Sequence, residues 1–300
     1  MKNGGIMEKV VPFTLENGVF GVKVEKPPRI NIFKTFDCGQ CFRFDPVSLF
    51  GHEHEFGGVA FGRYVVFGQD TEDDLYIYNS TLEDYDKIWR NFLAFDVDYS
   101  LVDSHISSSL KSEHMDRAIE CSQGIRILRQ DSWEAVCSFI ISQNNNIPRI
   151  KKIISSLCQN YGGSVCFLGQ THYTFPKSQA LLEAGEEAIF ALKTGFRAKY
   201  IIDACQAISE SRISLDEIKE TADFDACVEH LCRVKGIGLK VASCALLFGF
   251  DKTQAFPIDV WMKRALERYF PKGIDLPALG KWAGIAQQYL FYYEKYVQSP

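Results

Sequence analysis

Lys240 and Asp259 are side chains whose types and spacing suit covalent chemistry. Lys240 lies in the first turn of a predicted helix, where the positive end of the helix dipole favours a neutral, nucleophilic amine. The helix is about 16 Å long and the following loop can span about 30 Å, so Asp259 can return beside Lys240. Its carboxylate would stabilise developing positive charge but would also favour the ammonium form. The simpler interpretation is an N-cap aspartate and an exposed lysine.

A short hairpin with two glycines precedes Lys240. We expect a helix that ends near Val234, a hairpin at 235–238 and a second helix at about 239–248. Gly236 and Gly238 permit positive φ and a close approach to a partner. The hairpin N–H groups and the helix N-terminus would then bind an anion such as a phosphate.

Composition and charge narrow the class of protein. The chain has 300 residues, 46% of them hydrophobic, and a net charge of -5, which excludes binding of nucleic acid by bulk attraction but not by a local basic face. Ten cysteines, mostly scattered, favour a reduced compartment. The Cys38–Cys41 pair has no second pair at zinc spacing, so we expect no metal site. We expect an intracellular protein, because the sequence shows no signal peptide or long apolar run.

Patterns along the chain predict an α+β fold. Strand signals occur only in the first part, in VVPFTL, CFRF, GGVAFGRYVVFG and LYIYNS. Helical patterns then follow one another to the C-terminus, after a polar, serine-rich segment at 98–121. We therefore predict an N-terminal antiparallel sheet domain with helices at 1–108 and an all-helical core at 109–300, with the hairpin at 231–249.

The hairpin, with a lysine after it and an aspartate at the next helix start, resembles the signature of the helix-hairpin-helix DNA glycosylases. Four further segments are similar to 8-oxoguanine DNA glycosylase/lyases and come in that family's order: CGQCFRF, LRQDSWEAVCSFIISQNNNIPRI, GFRAKY and AGIAQQYLF. A related family of alkylated-base glycosylases shares the architecture but usually lacks the hairpin lysine. That family, and a non-catalytic DNA-binding module, are the alternatives.

The resemblance implies roles for six residues in excising a base. Asp259 would stabilise an oxocarbenium-like sugar, while Lys240 would attack C1′ and form a Schiff base that permits β-elimination. The carbonyl of Gly39 would read the N7 proton that distinguishes 8-oxoguanine from guanine. The remaining residues of this set would hold the flipped base, two by stacking and one at its Watson–Crick edge: Cys244, Phe291 and Gln287. A turn glycine and ordinary helix packing are the simpler interpretations of these residues.

The resemblance also implies contacts with the DNA that remains. Asn144 would fill the vacated stack, and Arg149 and Arg197 would bond the orphaned cytosine. Other predicted DNA contacts are Phe196, Gly236, Gly238 and Trp261. Trp261 stands where the family usually has a histidine, which puts its phosphate contact in doubt. Capping and surface charge are the simpler interpretations of the asparagine and the arginines.

The predicted partner is double-stranded DNA that contains oxidised guanine. We expect a monomer without a membrane segment and without a cofactor. No cysteine follows Cys244, so no iron–sulfur cluster is expected. The expected location is the cytoplasm or nucleoid in a bacterium, or the nucleus in a eukaryote.

Overall fold

A six-stranded antiparallel sheet forms the first part of the protein. The computed structural model describes residues 8–70 and 74–298. The strands run in the order β1-β2-β6-β5-β4-β3, and their bounds are β1 Lys9–Thr14, β2 Phe20–Glu25, β3 Phe44–Pro46, β4 His54–Ala60, β5 Arg63–Gln69 and β6 Asp74–Tyr78. Strand β2 did not stand out in the sequence, although its Val22 and Val24 are fully buried.

Short helices cover one face of this sheet. They are α1 (Ile32–Phe36), α2 (Leu82–Asp84), a π-helical turn (Tyr85–Trp89) and α3 (Arg90–Phe92). Helix α2 begins with a capping box between Thr81 and Asp84. Aromatic side chains fill the space between helices and sheet, and Phe36 lies 5.1 Å from Phe67, centroid to centroid. This packing gives the sheet its own apolar core.

The rest of the chain is almost entirely helical. Its helices are α4 Tyr99–Leu110, α5 Glu113–Cys121, α6 Ser132–Ser142, α7 Ile147–Tyr161, α8 Ser178–Ile189, α9 Arg197–Ser209, α10 Leu215–Glu220, α11 Phe224–Cys232, α12 Leu239–Gly249, α13 Val260–Tyr269, α14 Leu276–Leu279 and α15 Ala283–Tyr292. Three non-α turns extend or join them, at Phe190–Thr194, Gly280–Trp282 and Tyr293–Gln298. The predicted α+β class is therefore confirmed.

Helices α6 and α12 lie together at the centre of the helical part. Residues 241–249 of α12 are all buried, which explains why this helix is apolar around its whole circumference. The rings of Phe139 and Phe248 stack with centroids 5.4 Å apart and join the two helices. Lys240 is thus carried at the start of a helix that packing holds in place.

A small hairpin and one arginine join the sheet to the helical part. The hairpin, β7 (Ser164–Phe167) and β8 (Gln170–Tyr173), was not expected in an all-helical core, and its His172 stacks on Tyr64 of β5 with centroids 3.7 Å apart. The guanidinium of Arg126, which is 1% exposed, donates to the carbonyl oxygens of Arg29, Leu93, Ala94 and Val97.

The polar, serine-rich segment 98–121 forms helices α4 and α5. Tyr99, Val102 and Ile106 of α4 are buried in the apolar cluster of the helical part. The division at residue 108 remains a prediction. Within the described ranges, 8–70 and 74–298, no helix is long and apolar enough to cross a membrane.

Candidate active site

The hairpin between α11 and α12 carries Lys240. Gly236 has φ +83°, and a Cβ there would lie 2.3 Å from the Tyr200 ring, so this position requires glycine on two grounds. Asp203 of α9 accepts a 2.7 Å hydrogen bond from the backbone N–H of Lys235. The hairpin is therefore fixed to α9. Gly238 caps α12 without a side-chain hydrogen bond, which leaves the positive helix end open to an anion.

Six residues that the sequence analysis assigned to catalysis or base recognition line one cavity of about 60 Å³. They come from the loop after α1, from α12, from the start of α13 and from α15: Gly39, Lys240, Cys244, Asp259, Gln287 and Phe291. Cys38, Phe139, Phe248, Pro257 and Gln288 complete the lining. The structure thus brings together groups that are separated by up to 252 positions in the chain, from Gly39 to Phe291 (291 minus 39).

Asp259 is both an N-cap and a lining residue of the cavity. Its Oδ1 accepts a 2.8 Å hydrogen bond from the backbone N–H of Met262 and starts α13. The half-buried Lys240 amine lies 6.0 Å from the centroid of the Phe139 ring. No ion pair joins Lys240 and Asp259, which both belong to the described part of the chain. The amine is therefore not tied to the carboxylate that shares its cavity.

The thiol of Cys244 lines the same cavity as the amine of Lys240. Burial raises the pKa of Cys244 to about 11, while Lys240 opposes this increase and the carboxylate of Asp259 adds to it. At neutral pH the thiol is protonated. It therefore presents an uncharged, polarisable surface to the cavity.

The loop at Gly39 is held by two buried glutamines that sequence reasoning missed. Gly39 has φ +80°, which glycine adopts without strain. The amide of Gln40 donates to the carbonyls of Thr35 and Arg126, at 2.9 and 2.8 Å, and accepts from the N–H of Leu128. Gln288 donates a 3.0 Å hydrogen bond to the carbonyl of Cys38. A single polar residue does not produce a hydrophobic periodicity, so neither glutamine could be recognised as a buried support. Gln40 does lie within the CGQCFRF segment.

Gln287 presents a free hydrogen-bonding group inside the cavity. The side chain is only 5% exposed, yet its Oε1 atom has no partner among the described residues. A buried acceptor without a partner costs free energy, on the order of 1–3 kcal/mol. A ligand with a donor at this position would recover that free energy. Phe291, one turn further along α15, is half-buried and presents its ring near Gly39.

A second cluster forms where α6 ends and α9 begins. Asn144 is exposed and has φ +46°. Arg197, which is 2% exposed, donates to the carbonyl oxygens of Gln143, Asn144 and Thr194. Phe196 is 46% exposed, and the Arg197 guanidinium lies 4.5 Å from its ring centroid. Arg197 thus supports the Asn144 loop from inside the fold.

Arg149 and Trp261 lie outside the cavity. Arg149 is exposed and donates weakly to the carbonyl of Lys193 at 3.4 Å. Its charge adds to burial in lowering the pKa of Arg197, so the two guanidiniums belong to one neighbourhood. Trp261 is half-buried, and the guanidinium of Arg264 lies 5.0 Å from its ring. In residues 8–70 and 74–298 no group of Cys, His, Asp and Glu side chains is arranged to hold a metal ion.

Comparison with known proteins identifies related families and structures. The 8-oxoguanine DNA glycosylase N-terminal domain model matches residues 23–136, and the HhH-GPD superfamily base excision DNA repair protein model matches residues 137–274. The structure of MBOgg1 in complex with a low affinity DNA ligand is 34% identical with a TM-score of 0.89, and the match covers 98% of this chain and 100% of that one.

Two further relatives agree with this result. The Clostridium acetobutylicum 8-oxoguanine glycosylase/lyase, in complex with double-stranded DNA containing cytosine opposite 8-oxoguanine, is 32% identical with a TM-score of 0.84 over 95% of this chain and 97% of that one. The Saccharomyces cerevisiae N-glycosylase/DNA lyase is 38% identical over 49% of this chain, and the match spans 42% of the yeast protein's length. The chain belongs to the 8-oxoguanine DNA glycosylase/lyase family of the helix-hairpin-helix superfamily.

Proposed function

We propose that this protein excises 8-oxoguanine from duplex DNA and then cleaves the abasic strand. The observation that carries the proposal is the single cavity that contains an amine, a carboxylate and four groups suited to hold a base. Family membership and the clostridial complex with 8-oxoguanine support it. The catalytic residues are Lys240 and Asp259.

The reaction begins with attack of the Lys240 amine on C1′ of the damaged nucleotide. An N–C1′ bond forms as the bond to the base breaks, and the base leaves with the bonding electron pair. Asp259 stabilises the positive charge that develops on the sugar. The attacking nitrogen releases a proton, and the C1′–O4′ bond then opens as O4′ takes up a proton, which gives the Schiff base. The Schiff base acidifies C2′, and loss of the C2′ proton expels the 3′ phosphate, so β-elimination breaks the strand on the 3′ side.

Base recognition combines stacking with edge contacts. The Cys244 thiol and the Phe291 ring enclose the flipped base, and Gln287 bonds its Watson–Crick edge through an amide whose Oε1 has no protein partner among the described residues. The Gly39 carbonyl accepts a hydrogen bond from N7–H of 8-oxoguanine. With guanine this carbonyl would face a lone pair, at a cost on the order of 1–3 kcal/mol.

The second cluster holds the DNA that remains after base flipping. Asn144 occupies the vacated stack, and Arg149 and Arg197 bind the orphaned cytosine, with Phe196 against the neighbouring base. Gly236 and Gly238 bring backbone N–H groups to a phosphate, and Trp261 donates to another through Nε1. We further propose that the protein acts as a monomer inside the cell and requires no cofactor.

Borohydride trapping tests the proposed nucleophile. The native protein, incubated with a duplex containing 8-oxoguanine opposite cytosine, should form a reduced covalent adduct. Lys240→Gln should abolish both the adduct and strand cleavage, because no amine remains to form the imine. Lys235→Gln, in the same hairpin but with an 83% exposed side chain, is the matched control and should behave as native. An undiminished adduct with Lys240→Gln would contradict the proposal.

Two alternative functions predict different results from the trapping experiment and from a panel of lesion-bearing duplexes. An alkylated-base glycosylase would release 3-methyladenine rather than 8-oxoguanine from a panel of duplexes, each carrying one lesion. A non-catalytic binding module would bind duplex DNA without releasing any base. Both alternatives predict no borohydride adduct with the 8-oxoguanine duplex.

A further inference from the structure

Lys295 lies next to Phe291, a lining residue of the candidate active site, in the π-helical turn Tyr293–Gln298 that continues α15. Its ammonium is 5.2 Å from the centroid of the Phe291 ring and 4.5 Å from that of Tyr296. It donates a 2.9 Å hydrogen bond to the Tyr296 hydroxyl. Lys295 does not itself line the cavity, whereas Phe291 does.

The surroundings of this ammonium are unusual for a lysine. The side chain is half-buried, and no carboxylate of the described residues forms an ion pair with it. Burial lowers the pKa of Lys295, while the more distant charges of Asp37 and Asp259 oppose this. Two aromatic rings, those of Phe291 and Tyr296, lie close to this cation. Because partial burial of the Lys295 ammonium costs solvation free energy, its place beside Phe291 suggests a functional role.

We propose that Lys295 is a positioning residue for base excision, which fixes the Phe291 ring against the flipped base and holds positive charge near the departing base. This inference rests on the proposed function. The base leaves C1′ with the bonding electron pair and is negatively charged until water protonates it. A cation close to the stacked Phe291 ring lowers the free energy of that charge.

Cleavage of a preformed abasic site provides the discriminating measurement. That reaction uses the Lys240 amine but involves no base, so it does not depend on the position of Phe291. Lys295→Met keeps the apolar stem and removes the charge. We expect a loss of about tenfold in the single-turnover rate of 8-oxoguanine excision, equivalent to about 1.4 kcal/mol. Cleavage of the abasic duplex should stay at the native rate, and Lys295→Arg should restore excision.

Two further variants sharpen the test. Lys281→Met is a matched control, because the Lys281 ammonium also lies over an aromatic ring, 4.4 Å from the centroid of Trp282. Trp282, unlike Phe291, does not line the cavity. Excision by this variant should equal that of the native protein. In a Phe291→Leu background, Lys295→Met should have no additional effect, because the ring through which Lys295 acts has been removed.

Several outcomes would overturn the inference. Equal losses of excision and abasic-site cleavage in Lys295→Met would assign Lys295 to phosphate binding or to stability. A native rate of excision in that variant, or an undiminished effect in the Phe291→Leu background, would exclude a role through the ring. If the native protein cleaves abasic DNA but never releases 8-oxoguanine, the proposed substrate fails and this inference fails with it.

Discussion

At the scale of single residues, Asp259 combines two roles that are usually treated as alternatives. One carboxylate oxygen caps α13, and the residue also lines the cavity that contains Lys240. The cap fixes the position of the side chain, because a hydrogen bond to the Met262 N–H restricts its rotation. A structural contact thus aligns the carboxylate that we propose as the electrostatic catalyst.

Asp259→Asn separates these roles. Asparagine caps helices as well as aspartate does, so the free energy of unfolding should change by less than about 0.5 kcal/mol. Excision should slow by at least about tenfold, since the charge that stabilises the sugar cation is gone. Asp131→Asn, at the N-cap of α6, is the control and should leave excision unchanged. Parallel losses of stability and excision in Asp259→Asn would indicate a cap alone.

The two arginines of the second cluster should differ when each is removed. Cytosine offers two adjacent acceptors to arginine donors, whereas adenine presents a donor that would face another donor. Arg149→Ala should therefore reduce the preference for cytosine over adenine opposite the lesion by about 1–3 kcal/mol, with little effect on stability. The readout is the ratio of single-turnover excision rates on the two duplexes.

Arg197→Ala should reduce the same preference and also destabilise the fold. Its guanidinium holds the carbonyls of Gln143, Asn144 and Thr194, so truncation removes these hydrogen bonds and leaves the buried Thr194 carbonyl without this donor, at about 1–3 kcal/mol. Urea unfolding measures this difference, with the exposed Arg117→Ala as control. Equal excision of both pairs by the native protein would contradict a role of either arginine in base choice.

At the scale of elements, the hairpin depends on two glycines for different reasons. Gly236 has positive φ and lies against Tyr200, whereas Gly238 has φ −101° and no atom within 4 Å of an added Cβ. The first glycine is required by the fold. The second leaves open space in front of the α12 N-terminus, where the proposed phosphate would lie.

Alanine at each glycine should give opposite phenotypes. Gly236→Ala should lower the free energy of unfolding by at least about 2 kcal/mol, from backbone strain and the clash with Tyr200. Gly238→Ala should unfold like the native protein but bind duplex DNA more weakly, because its methyl group projects toward the phosphate. Urea unfolding and a binding titration measure these effects. A stable, normally binding Gly236→Ala variant would contradict this assignment.

The sequence predicted elements well where the signal was local. The two helices around the hairpin agree with the prediction to within about two residues, because α11 ends at Cys232 and α12 spans Leu239–Gly249. Strand β2 and the β7–β8 hairpin were missed, because β2 gains its strand character from burial between β1 and β6 and the hairpin from contact with β5. Long-range packing of this kind leaves only a weak trace in local composition.

The same limit applies to the site. Motif resemblance identified the residues that line the cavity, but not the buried amides of Gln40 and Gln288 that hold its loop. Nor did it indicate that the buried Arg197 supports the Asn144 loop from inside the fold, since an arginine in a polar motif suggests an exposed charge. These contacts depend on which carbonyl oxygens tertiary packing leaves free.

At the scale of the whole molecule, the contact between sheet and helices contains a titratable group. Glu134, in the first turn of α6, lines a small cavity with Phe44 and Ala60 of the sheet. Burial raises the pKa of Glu134 to about 7, opposed by Arg43 and increased by Asp131. The folded protein therefore binds a proton that the unfolded chain releases near pH 4.5.

Glu134→Gln should make stability less dependent on pH. Because the native state binds the extra proton, the free energy of unfolding falls as pH rises from about 4.5 to about 7, and the full penalty is present above pH 7. At pH 8 the variant should be more stable than the native protein by roughly 1–3 kcal/mol, and the difference should vanish near pH 4.5. Urea unfolding across this range measures the effect. Exposed Glu187→Gln is the control, and a constant difference at every pH would contradict the assignment.

The cavity beside Lys240 is smaller than the base that it is proposed to hold. Its volume of about 60 Å³ suits a few water molecules, and a purine base is several times larger. Residues of the lining must therefore move before a base can enter, and the free energy of this movement lowers the apparent affinity for any flipped base. Intact guanine would meet the same cost without the hydrogen bond from N7–H that would offset it. The size of the cavity thus adds to the discrimination against undamaged bases before any bond is broken.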